Sequence, residues 1–152
     1  FTSLWDNYPD SLEIPLKGKA SRAYLLMAGS TNHMQCHIDN GVIRIYYKDG
    51  TRDVMFLRNP DNWPPIEHIF FEDGLAFNRH TPALYRLRLK TGEISNNFGE
   101  ELGFPGASRE LDGGAAVLLE MPLNPGKKLS HLVLETLSND VVIGLMSITL
   151  QR

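Results

Sequence analysis

The chain has 152 residues, 42% of them hydrophobic, and 15 Lys and Arg against 18 Asp and Glu give a formal net charge of −3. That length and apolar content suit one core rather than two, and basic residues scattered along the chain exclude a nucleic-acid stripe or a polybasic membrane patch. The longest apolar run, Val141–Leu150, is about half the length a membrane-crossing helix needs, and the lone Cys36 forbids an internal disulfide.

The chain opens at Phe1 with neither an initiator Met nor a leader, which suggests a mature or excised piece of a larger protein, with residues 1–152 forming one domain. Phe1, Leu4, Trp5 and Tyr8 lie on a segment too short for a core of its own; it is expected to cross the domain or to run on from a preceding one. Runs at 11–16 and 22–29 are strand-like. Between 28 and 37, Ser30, Thr31 and Asn32 suit a self-capped turn or a ligand-lining loop, with the capped turn favoured. His33, Cys36 and His37 are metal-ligand types, but on a strand His33 and His37 stand too far apart to share an ion and no fourth ligand is near, so no metal site is expected from them.

In 41–57 strict alternation puts Ile43, Ile45 and Tyr47 on one face and Arg44, Tyr46 and Lys48 on the other; Asp49-Gly50 then turns the chain into a second run carrying Val54 and Phe56. The pair predicts a hairpin with a type I′ turn. Tyr85, Leu87 and Leu89 alternate with Arg86, Arg88 and Lys90, predicting a strand with the apolar set buried and a Thr91-Gly92 turn after it. Residues 95–111, with Phe98 and Phe104 among glycines, read as a long ordered loop, and Gly113-Gly114 as a tight turn before a strand at 115–121. Runs at 131–137 and 141–150 are separated by a short reversal at 138–140. Roughly eight or nine strands and no amphipathic helix of three turns predict an all-β antiparallel sandwich of jelly-roll type. Its core should hold Ile43, Ile45, Tyr47, Leu87, Leu89, Leu132, Leu134, Ile143 and Leu145.

Four stretches, 6–35, 49–67, 112–129 and 139–150, resemble a poorly characterised β-sandwich module of large polysaccharide-degrading, glycoside hydrolase-type proteins of gut-type Bacteroidetes. That module is similar in turn to galactose-binding-like jelly rolls. The resemblance implies an exported protein, periplasmic or at the cell surface. It also implies a non-catalytic accessory module whose partners are a glycan or a neighbouring catalytic domain, with no cofactor. Two roles are open: carbohydrate binding, or structural packing on the catalytic domain without a ligand.

The stretch Arg58–Phe71 carries the candidate site. Asn59-Pro60-Asp61-Asn62 is turn chemistry, and Pro64-Pro65 stiffens the exit from Trp63. A rigid indole at the end of a sandwich stacks on a pyranose face, with Asp61, Asn62 and Glu67 taking hydroxyls and Arg79 holding Glu67. The competing reading, favoured on physical grounds, folds Trp63 back as a cap on the core, since tryptophan is highly buried on average. As catalytic pairs, Asp61 with Glu67 and Glu100 with Glu101 are poor: adjacent residues on a strand point apart, and no nucleophile with its base is evident. No catalytic residue is therefore expected.

Overall fold

The computed structural model of the chain describes residues 9–67, 79–98 and 111–152. The expectations for Trp5, Tyr8, Glu100, Glu101 and Phe104 lie outside the described residues. Those residues carry nine strands: β1 (Ser11–Pro15), β2 (Arg22–Thr31), β3 (Asp39–Tyr47), β4 (Arg52–Arg58), β5 (Arg86–Arg88), β6 (Ile94–Ser95), β7 (Ala115–Pro122), β8 (Leu129–Thr136) and β9 (Val141–Gln151). Among the described residues, helix is confined to one 3-10 turn, His33–Gln35. The strands form two antiparallel sheets, β1-β8-β3-β4 and β6-β5-β7-β2-β9, in a sandwich-like arrangement.

Alternation decides which side chains meet between the sheets. Ile43 faces Leu134 and Ile45 faces Leu132 across β3 and β8, and all four are buried. From the other sheet, Leu25 and Met27 of β2 and Val117 and Leu119 of β7 come in to meet them. Each such aliphatic side chain, fully buried, contributes about 1.5–3 kcal/mol. Ile143 and Leu145 of β9 are half-buried and pack on the rim of this core. One extra residue in β9 shifts the pairing with β2 between Leu26 and Met27; Met146 sits at this bulge, exposed.

Three local expectations are corrected. At Asp49-Gly50 only the glycine has positive φ, +84°, and Tyr47 N–H reaches Thr51 O at 2.9 Å, so the loop has three residues and ends in a left-handed glycine instead of a type I′ turn. Runs 131–137 and 141–150 belong to different sheets, so residues 138–140, with Asp140 at φ 57°, turn a corner between layers.

The third correction is the face of β5. Arg86 is buried, Leu87 is half-buried, and Tyr85 and Leu89 are 54% and 38% exposed, the reverse of the alternation's apolar-in assignment. The strand is only three residues long and pairs Arg86 with Val117, a core residue. An arginine fits inside there because its guanidinium meets backbone carbonyls, described below.

Tyr47 ties the two layers at their other end. Its hydroxyl donates to the Asp53 carboxylate and accepts from Asn124 N–H at 2.8 Å. Burial, reinforced by the bond to Asp53, pushes the phenol up to about 12 from its ordinary 10.0, against the bond from Asn124, which lowers it. A raised acid pKa means that the folded state keeps its proton where the unfolded chain loses it. This contribution is thus fully present below pH 10 and lost as pH rises through about 12.

Two predictions follow from the packing. Leu134→Ala should lower unfolding free energy by about 2–5 kcal/mol in urea titrations, whereas Leu89→Ala should stay within about 0.5 kcal/mol; equal losses would mean that β5 presents its leucines inward. Tyr47→Phe should cost about 1–3 kcal/mol at neutral pH by leaving Asn124 N–H and Asp53 without their partner. The same variant should flatten the loss of stability between pH 10 and 12, measured by denaturant midpoint.

Candidate functional site

The chain leaves β4 into a loop that is fastened before it reaches Trp63. Asn62 Oδ1 accepts from Arg58 N–H at 2.7 Å and its amide donates to Phe56 O at 2.8 Å, while Asn62 and Trp63 N–H both reach Arg58 O. Asn62 therefore spends both ends of its side chain on the turn. The Asn59-Pro60 peptide is cis. Trp63 is fully buried and belongs to the main core cluster, so the exposed stacking platform is not what this loop presents; the indole caps the core. Gly29 makes room for it: a Cβ there would lie 2.8 Å from Trp63 Cζ2 and 2.0 Å from Val142 O. Beyond the prolines, Ile66 N–H donates to Gly29 O and Ile66 O accepts from Ala115 N–H, each at 2.8 Å, so the loop bridges β2 and β7.

Arg86 closes this loop from inside. Its guanidinium donates to Pro65 O at 3.0 Å, Ile66 O at 3.3 Å and Ala115 O at 3.1 Å. Burial lowers its pKa to about 10, and the charge of Glu67 works against that shift. Glu67 is half-buried, and its backbone carbonyl accepts from Leu111 N–H at 2.6 Å. Arg79 and Asp61 line a small cleft of about 90 Å³ with Pro60, Pro64, Leu84, Arg86, Ser95, Asn96, Asn97 and Phe98. That volume is well short of the roughly 300 Å³ at which small-molecule sites begin.

Asp61 faces two directions. One carboxylate oxygen accepts His80 N–H at 2.7 Å and lies 3.8 Å from His80 Nδ1, and its backbone carbonyl accepts from Thr81 Oγ1 at 2.8 Å. His37 joins it from the turn after β2, with its ring centroid 4.7 Å from that of His80. The turn is held by buried Asn40, which accepts from Thr31 Oγ1 and donates to Gln35 O and Ile38 O, and by His37 N–H on Asn59 O at 2.7 Å. Asn59 also donates to Cys36 Sγ at 3.4 Å. Among the described residues His37 enters a cluster of metal-ligand type, and its companions are Asp61 and His80.

A second, larger cleft of about 740 Å³ separates β1 and β8 from β9, lined by Leu12, Leu134, Thr136, Ser138, Asn139 and Asp140 and by Val141–Leu145. Two of its polar side chains are engaged in structure: Thr136 N–H and Oγ1 bond Asp10 O, and Ser138 Oγ donates to Asp39 O. No aromatic ring lines it among the described residues.

No family model, curated protein or solved structure matches the chain. The functional reading therefore rests on the residues themselves. Of the sequence candidates, Asp61 and Arg79 share the small cleft, Asn62 belongs to the turn, Trp63 to the core, and Glu67 acts on buried Arg86 through its charge. His80 and Arg86 carried no local sequence signal; both owe their positions to the long-range packing of the loop.

Trp63→Ala should cost about 3–5 kcal/mol in chemical denaturation, as large aromatic truncations in cores do. A loss under 1 kcal/mol would place the ring at the surface.

Proposed function

We propose that the chain is a non-catalytic accessory module of a polysaccharide-degrading protein, a jelly roll that packs by its β1–β9 side against a neighbouring catalytic domain. The observation that carries this reading is β9 itself. It ends its sheet, runs eleven residues, and holds no charged residue and no proline from Val141 to Gln151. Exposed edges of that kind pair with other chains, and folded proteins ordinarily blunt them with charge or proline or cover them. β1 ends the other sheet on the same side, and the 740 Å³ cleft lies between them with Leu12 45% exposed at its rim. Among the described residues neither strand has a second strand partner. The strand order supports the jelly-roll assignment, since β1-β8-β3 in one sheet faces β7-β2 in the other, with the chain passing repeatedly between layers. An exported location goes with this reading.

Carbohydrate binding is the competing role. Trp63 offers no ring face, and Tyr46 has little to offer: His131 stacks on it at 4.7 Å and 12°, while Arg52 of the strand on its other side lies 5.8 Å from the ring centre. The exposed ring of Tyr85 lines neither cleft. Two measurements separate the roles. Electrophoresis through gels containing soluble polysaccharides should show no retardation of the chain; retardation abolished by Tyr85→Ala would replace the interface reading with a sugar-binding one. Mixed with the rest of the parent protein as a separate polypeptide, the chain should form a complex in size-exclusion chromatography, and Leu12→Lys should dissociate it. No complex with the wild-type chain would sink the proposal.

A further inference from the structure

We propose that His37, Asp61 and His80 form a binding site for one divalent transition-metal ion of the zinc(II) class. Each residue offers a ligand atom, and these atoms all lie within 4.8 Å of one another. Zinc bonds of about 2.0–2.2 Å place the ligand atoms of a tetrahedral site about 3.4 Å apart. His80 Nδ1 and Asp61 Oδ1, at 3.8 Å, are already close to that spacing. Rotation of exposed imidazoles closes the rest, and the His80 side chain is 65% exposed.

The backbone brings the three together by design of the loop rather than by sequence proximity. His37 has a left-handed backbone, φ 58°, which a side-chain-bearing residue seldom adopts, and its N–H is fixed on Asn59 O. Asp61 follows that asparagine by two positions. It holds the third segment through His80 N–H and Thr81 Oγ1. Each ligand-bearing segment is thus hydrogen-bonded to another before any ion arrives, which is the preorganisation a site of moderate affinity needs. Asp61 retains coordinating capacity, because a carboxylate that accepts one N–H keeps further lone pairs. Its side chain is only 14% exposed, so it is the enclosed member of the three, with two exposed imidazoles beside it.

The donor set selects the ion. Two imidazoles and one carboxylate suit zinc, nickel and copper, whereas magnesium and calcium require oxygen ligands. Three protein donors leave the remaining coordination position to water. Asp61 is the one anionic donor of the three, so the carboxylate is the member the site cannot lose. The alternative is a tilted imidazole pair beside Asp61 with no metal, and it predicts different behaviour.

The test uses the chain stripped of metal with a chelator and titrated with zinc chloride, by calorimetry and by competition against a chromophoric indicator. One ion per chain should bind. His80→Ala and Asp61→Asn should each weaken binding by about tenfold or more, while His131→Ala leaves it unchanged. In long-range proton–nitrogen spectra the His37 and His80 rings should shift at stoichiometric zinc and His131 should not; millimolar magnesium should not compete. The thermal midpoint should rise with zinc concentration in the wild type and not in Asp61→Asn, both variants keeping wild-type circular dichroism. Absence of saturable binding would overturn the proposal. So would binding that both variants retain, or that is lost on His33→Ala instead.

Discussion

The burial of the Trp63 indole is the constraint around which the candidate site is arranged. A side chain of that size, fully enclosed, needs a hole in the facing strand, and Gly29 supplies it near the end of β2. Placing the ring there fixes the height of the 58–67 loop over the sandwich. Asn62 and Arg58 fasten the chain on one side of the ring and Ile66, hydrogen-bonded to both Gly29 and Ala115, on the other. With those two anchors set, the carbonyls of Pro65 and Ile66 line up as a ledge for the Arg86 guanidinium. On the outer side Asp61 is left facing His37 and His80.

Much of this was legible where alternation met a two-sided sheet. In β3 apolar residues alternate with polar ones and burial follows that pattern at Ile43 and Ile45, while Leu132 and Leu134 lie in the middle of an apolar run and are buried with them. The pattern failed at β5 for a physical reason. Alternation reveals two faces; which one turns inward is inferred from hydrophobicity alone. A three-residue strand gains little from burying Leu87 and Leu89, and Arg86 gains three carbonyl partners. The preference therefore inverts, at the cost of desolvating a cation, which the lowered pKa of Arg86 registers.

The loop was half legible. Its composition announces a rigid turn with a tryptophan in it, and the two uses of such a ring, platform or cap, require the same prolines and the same asparagine. What separates them is whether a cavity exists beneath the ring, and that cavity is made by a glycine in β2, far away in the sequence. The same distance hid the cluster at Asp61. His37 reads as a neighbour of His33 and Cys36 along the chain, but the residues beside it in space arrive from two other segments. The nearest clue in the sequence was Asn59, whose backbone and side chain both bind the His37 turn.

Burying the ring also changes what the surface above it can do. A loop whose tryptophan is committed to the core has lost its stacking face, yet it has gained a backbone anchored on both sides of the ring. Ordering cost is what limits shallow surface sites, and here the ordering is already supplied by packing below. Asp61 is the residue that benefits: two positions from a fully buried indole, it is held between its own bonds to the His80 segment and the asparagine that carries His37. The fold thus converts one buried aromatic into positional precision for a polar cluster. That precision belongs to a different kind of surface from the β1–β9 side, where, among the described residues, β9 ends its sheet as a long edge strand without charge.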